Sequence, residues 1–218
     1  LMENNARYFE IAWAAQRSGL YYTCISSKLT AGEADYIVRD CGAQLLIVSH
    51  GVGPVVDELA PLLSDLKLYC IGSARGAYAS FEAAREQMPT TPIADETSGA
   101  DMLYSSGTTG RPKGVKPELT GLPPDAPNAL LVLPKAFFGF PDDCTYLSPA
   151  PLYHAAPWRW SMTVQRLGGK VVVMEKFDPE QCLALIERHR INTGQFVPTH
   201  FVRMLKLRED VRKKYDVS

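Results

Sequence analysis

The sequence predicts an α/β protein with mostly parallel sheets flanked by helices on both faces, and three observations predict it. The apolar runs LLIVS at 45–49 and KVVVME at 170–175 are unbroken in hydrophobicity, as strands covered on both faces must be. Segments with apolar residues at helical spacing alternate with these runs. Several of those segments also carry capping residues at one end and glycine at the other. Right-handed crossovers between parallel strands then gather the strand carboxyl ends, and the loops after them, along one rim.

Taken in order, residues 3–18 have helical periodicity and stop at Gly19, a residue suited to the left-handed turn after a helix. YYTCI at 21–25 is rich in aromatic and β-branched residues and predicts a strand. Thr30 and Glu33 have the spacing of a capping box, and Gly42 lies just past the helix they open. LLIVS is the second strand. A helix over about 54–64, a strand over 67–72 and a helix over about 79–88 continue the alternation, and a strand at 102–105 follows. The proline-rich KPELTGLPPDAP reads as an irregular surface segment. ALLVLPKAFFGF has helical character that Pro134 interrupts. TYLSPA is a strand, a helix starts near 158, and KVVVME is a further buried strand. Asp178 caps a helix that opens on Pro179. GQFVP predicts a last strand, and THFVRMLKL opens a charged helix that runs on through REDVRKKYD as a solvated face.

Composition excludes several classes. The chain has 218 residues, 46% apolar and 22% charged, as in ordinary globular proteins. A net charge of -1 offers no counterion-release term for general nucleic-acid binding. No apolar run approaches the ~18 residues of a membrane span, and no signal peptide is visible. Cys24, Cys41, Cys70, Cys144 and Cys182 form no Cys-x-x-Cys pair, so zinc-site spacing is absent and no metal ligand set is expected. Scattered cysteines in apolar surroundings suit buried, reduced thiols, and the expected compartment is cytoplasmic.

The segment MLYSSGTTGRPKGV at 102–115 carries the chemistry. Glycines let backbone N–H groups approach an anion closely, which explains Gly107, Gly110 and Gly114 in such a loop. Ser105, Ser106, Thr108 and Thr109 add hydroxyl donors, and Lys113 adds a full positive charge. A Walker loop, G-x-x-x-x-G-K-[ST], does not fit: Pro112 stands where its second glycine belongs, and Gly114 follows the lysine. Pro112-Lys113-Gly114 is also a poor opening for a phosphate-capping helix. A glycine-serine turn without ligand is the bland alternative. On chemistry alone His154 reads as a histidine fixed by hydrogen bonds at a strand end, and aromatic residues on helices such as Trp158, Trp160 and Phe201 read as core. His50 and His189 have no evident partner.

YSSGTTGRPKGV closely resembles the phosphate-loop signature of the AMP-forming adenylating superfamily, which includes acyl-CoA synthetases, luciferases and peptide-synthetase adenylation domains. NNARYFEIAWAAQRSGLYYTCIS, YLSPAPLYHAAP and QFVPTHFVRML resemble further segments of fatty acyl-CoA ligases. The resemblance spans nearly the whole chain and implies the middle of the two-subdomain N-terminal region. It implies one subdomain over 1–100, truncated at its start, and the phosphate loop with a second subdomain over 101–218, truncated at its end. The implied parent enzyme joins a fatty or other hydrophobic carboxylic acid to CoA through acyl-AMP, with ATP, Mg2+ and CoA as co-reactants. Ser105, Ser106, Gly107, Thr108, Thr109, Gly110 and Lys113 would hold the β- and γ-phosphates. His154 would be the gate between nucleotide and acyl sites, and Trp158, Thr199, His200 and Phe201 would border the acyl pocket.

The chain also departs from the family pattern. KPELTGLPPD replaces the Thr-His pair that often follows the loop, which puts contacts beyond Lys113 in doubt. No Tyr-Gly-x-Thr-Glu segment, later ribose-binding aspartate or small C-terminal domain with its lysine is found. LMENN starts as though a strand had been cut. The expectation is a substrate-binding fragment, inactive alone and without tightly bound cofactor, whose partners are a carboxylic acid, ATP, CoA and the rest of its own chain. The alternatives are a short non-catalytic acyl- or phosphate-binding module, and a fragment of a ligase for aryl acids, bile acids or amino acids.

Overall fold

The computed structural model describes residues 1–105 and 110–218. It comprises two units, one of residues 1–3 and 7–124, the other of residues 4–6 and 125–218.

In the first unit, α1 (Arg7–Arg17) buries Tyr8, Phe9 and Ala12 and turns at Gly19, whose φ is +66°. The helix starts four residues later than its periodicity suggests, because Asn4 is engaged elsewhere (below). Only Tyr21–Tyr22 of YYTCI pair, as β1. Helix α2 (Ala31–Asp40) opens on the expected capping box: Glu33 N–H donates to the Thr30 hydroxyl and Thr30 N–H to the Glu33 carboxylate. Then come β2 (Leu45–Ser49), α3 (Val55–Leu59) running into a 3-10 turn, β3 (Lys67–Ile71), β4 (Ala79–Ser80) and α4 (Phe81–Glu86). The strand predicted at 102–105 is β6 (Leu103–Ser105); a short β5 (Ala100–Asp101) that the sequence did not indicate precedes it, and β7 (Lys113–Val115) follows.

Strands β2, β3 and β4 form one parallel sheet, β1 and β5 a second, and β6 and β7 an antiparallel hairpin. The core packs β2 and β3 against α2 and α3 through Ile37, Val38, Val48, Val56, Leu59 and Leu63. Tyr78 is buried there with its hydroxyl donating to the Val56 carbonyl at 2.8 Å, so a polar tip is satisfied inside an apolar cluster.

The second unit has α5 (Ala129–Phe138), which keeps Pro134 inside it, then β8 (Thr145–Ser148) and α6 (Ala155–Arg166). Helix α6 begins three residues before the expected position. Pro157 falls in its first turn, where a missing N–H breaks no helical bond. Strand β9 (Lys170–Val173) and α7 (Pro179–His189) follow, with Asp178 accepting from Gln181 N–H at 2.8 Å as the expected cap.

GQFVP is not a strand. Pairing is confined to β10 (Thr193–Gly194), because the Phe196 ring folds back to within 2.6 Å of where a Cβ on Gly194 would lie and the chain turns off into α8 (Pro198–Leu205). The charged helix also stops short. Arg208 adopts ψ 147° and starts a separate turn, α9 (Glu209–Arg212). Strands β10, β8 and β9 form a parallel sheet in that order.

Candidate functional site

The phosphate-loop candidate hangs from a hairpin. Strands β6 and β7 place Ser105 opposite Lys113, Tyr104 opposite Gly114 and Leu103 opposite Val115. Paired residues in such a ladder have Cα atoms about 5 Å apart. The hydroxyl at one end of the loop and the ammonium at the other are thus brought side by side. Both residues are exposed, and Gly110 sits at φ +96°, a conformation that needs glycine. Ser106, Gly107, Thr108 and Thr109 lie outside the described residues. A strand, not a helix, follows the lysine.

The hairpin is braced by α2. Tyr36 donates its hydroxyl to the Pro112 carbonyl at 3.3 Å, and the Arg111 guanidinium lies 5.2 Å from the centre of the Tyr36 ring. Tyr104 donates to the Asp40 carboxylate; burial first, and that bond second, push its phenol well above the usual range. Gly114 has a packing reason of its own. A Cβ there would lie 2.6 Å from Met102 Cε and 2.8 Å from Tyr104 Cζ. Tyr36, Asp40 and Tyr104 escaped the sequence reading because nothing in their spacing links α2 to the hairpin.

In the second unit His154 is the N-cap residue of α6, exposed, with its ring 4.3 Å from that of Tyr153. The segment leading to it is held by Asn4. The Asn4 amide donates to the carbonyls of Ala150 and Met174, each at 3.0 Å, and its oxygen accepts from Leu152 N–H at 2.9 Å. Asn4 therefore ties the end of β8 to the end of β9, two residues before His154. The only sequence signal for it was a polar pair, Asn4-Asn5, ahead of an apolar helix.

The acyl-pocket candidates divide. Trp158 is fully buried, one turn into α6. Trp160 packs edge-on against Phe138 at 5.3 Å and beside Phe140 at 5.4 Å. Thr199 and Phe201, on the first turn of α8, are exposed, and His200 between them is buried. The His200 ring stacks 4.2 Å from Phe177, over whose ring the Arg203 guanidinium also lies, at 4.9 Å. Its Nδ1 accepts from Val197 N–H. Burial, with the Arg203 charge, lowers the His200 pKa, which favours the neutral ring that this acceptor role needs.

Among the described residues no three His, Cys, Asp or Glu side chains converge as a metal cage, and no helix is long and apolar enough to cross a membrane. The cysteines are free, and all but Cys41 are buried. Burial pushes the Cys24 thiol up to about 12 and Cys182 to about 11, so neither offers a thiolate near neutral pH.

Comparison with known proteins gives a family match described as AMP-binding enzyme over residues 1–218. The chain is 30% identical to acyl-CoA synthetase 7 of Caenorhabditis elegans over 99% of its own length and 42% of that protein. It is 30% identical to 4-coumarate–CoA ligase 2 of Solanum tuberosum over 92% of its length and 37% of that protein. The inhibitor-bound N-terminal domain of FACL13 from Mycobacterium tuberculosis superposes on all of it with TM-score 0.74 at 21% identity, over 53% of that structure. The chain thus spans about two fifths of the curated relatives it matches.

Proposed function

The chain belongs to the AMP-binding enzyme family, and from that premise we propose that it supplies the nucleotide-phosphate loop and part of the acid-binding wall of an enzyme that activates a carboxylic acid as its adenylate and passes the acyl group to CoA. The observation that carries this reading is the hairpin that sets Ser105 beside Lys113 across the glycine-rich loop. A cation and a hydroxyl at the two mouths of one loop fit a polyphosphate, since charge-assisted bonds of this kind contribute roughly 1.5–3 kcal/mol each. Gly110, at a backbone angle only glycine adopts readily, lets the chain lie close to such an anion.

In the proposed reaction a substrate carboxylate displaces pyrophosphate from the α-phosphorus of ATP, and CoA thiolate later displaces AMP from the acyl-adenylate. The part of this chain is electrostatic. Lys113 and the loop donors stabilise the charge that grows on the departing pyrophosphate. Mg2+, carried on the nucleotide, would neutralise further phosphate charge. His154, exposed at the start of α6, is the residue proposed to gate the acyl site. Thr199 and Phe201 present exposed surface on α8 suited to an acyl group, whereas His200 holds the helix start in shape. The acid is proposed to be hydrophobic, fatty or aryl, in line with the acids named for the relatives. The 218-residue chain alone is proposed to be inactive, with base, ribose and C-terminal contacts to come from the rest of the parent.

The test is Lys113→Ala in the full-length enzyme, followed by pyrophosphate release with saturating acid. Losing one charge-assisted contact in the transition state predicts a fall of about 100-fold in kcat/KM for ATP. The KM for the acid should hold. An unchanged rate would remove the loop from the mechanism.

A further inference from the structure

A basic residue precedes proline at two places in the sequence, Arg111-Pro112 and Lys116-Pro117, and the two dipeptides flank β7 directly. Each is gripped by one tyrosine, and in the same way. The Arg111 guanidinium lies 5.2 Å from the centre of the Tyr36 ring, while the Tyr36 hydroxyl donates to the Pro112 carbonyl at 3.3 Å. The Lys116 ammonium lies 4.8 Å from the centre of the Tyr21 ring, while the Tyr21 hydroxyl donates to the Pro117 carbonyl at 2.7 Å. The ring face takes the cation and the phenol tip takes the next carbonyl. The proline between them has its φ already fixed by its ring. Both tyrosines are half-buried, and they stand on different elements, Tyr36 on α2 and Tyr21 on β1.

The segment 111–116 holds three cations, and the grips treat them differently. Arg111 and Lys116 are laid on rings. Lys113, between them, is exposed and lies over no described ring. Its backbone is nonetheless fixed, by the ladder that sets it opposite Ser105 and by the tied dipeptides on either side. Tyr104 holds the facing strand, with its hydroxyl on Asp40 and its ring against Gly114.

We propose that Tyr21 and Tyr36 are positioning residues for Lys113: they clamp the two flanking cation-proline pairs, so that of the three cations Lys113 is the one presented to an anion in the loop. This inference rests on the reading of the loop as a nucleotide-phosphate site and adds which residues set its lysine. Neither tyrosine needs to touch the nucleotide, since each acts through the backbone of β7. The benefit is preorganisation. A charge already in place need not move as pyrophosphate departs, and a displacement of about 1 Å at such a group can cost roughly 100-fold in rate.

The experiment is a double-mutant cycle in the full-length enzyme, read as pyrophosphate release: Tyr21→Phe with Tyr36→Phe, Lys113→Ala, and all three together. Phenylalanine keeps each ring under its cation and removes only the hydroxyl, and urea midpoints check that the fold survives. Each tyrosine is also replaced singly, so that a pair too unstable to assay still leaves two partial effects to read. The expected result is a fall of about tenfold in kcat for the pair, with the KM for the acid unchanged. In the Lys113→Ala background the same pair should change kcat by less than about twofold, because the tyrosines then have no lysine to place. Equal slowing in both backgrounds would overturn the inference, for the tyrosines would then serve the fold in general. So would tyrosine variants as fast as the parent beside a slow Lys113→Ala enzyme, an outcome that leaves the loop reading standing. A Lys113→Ala enzyme as fast as the parent would remove the loop reading, and this inference with it.

Discussion

Asn4 shows how much one polar side chain can decide. It is 9% exposed, and both ends of its amide are committed to backbone of the β8 and β9 ends. Replacing it with alanine removes three hydrogen bonds and leaves buried carbonyls and an N–H without partners, each costing about 1–3 kcal/mol. Partial relaxation reduces the total, and Asn4→Ala is expected to destabilise the chain by about 3 kcal/mol, read as a lower urea midpoint at unchanged slope. A loss below about 0.5 kcal/mol would mean that water replaces the amide freely. Sequence patterns could not reveal this residue. Its partners lie some 150 positions away, and its neighbours in sequence only suggest a helix start.

Elements were legible where their determinants are local. The capping box of α2 and the Asp178 cap of α7 are written in adjacent residues and appear as expected. Asp178→Ala should cost about 1 kcal/mol, lowering Tm by a few degrees, and Asp178→Asn should restore most of it in a thermal melt. The misread elements depend on distant neighbours. GQFVP has strand composition, but Phe196 packs on Gly194 and the ladder ends there. YYTCI has it too, and pairs only as far as its neighbours reach. The hairpin that carries the loop was half legible: its first strand and glycines stand out, whereas β7 hides in Lys-Gly-Val and its braces sit on α2.

For the whole molecule, the alternation of covered strands and helices was legible because burial on both faces leaves a continuous apolar signature, and the sheets are parallel apart from the hairpin. Stability should also carry a global pH signature in a chain whose first residue is Leu1. Burial lowers its amine from 8.0 to about 6. Above pH 8 the amine is neutral folded or unfolded. Between pH 8 and 6 the unfolded chain takes up a proton that the folded chain resists, so stability is lost as pH falls through this window, by about 2 kcal/mol between those two values. Denaturant titrations at pH 6 and 8 check this, and acetylation of the amine should flatten the difference. The burial of thiols has a practical corollary. Four of the five cysteines are shielded, and Cys41 alone is partly open, capping the helix whose Tyr36 and Asp40 brace the hairpin. The fold thus turns a sequence of interchangeable thiols into one with a single addressable position, where a fluorescent reporter would sit within one helix of the loop it is meant to watch.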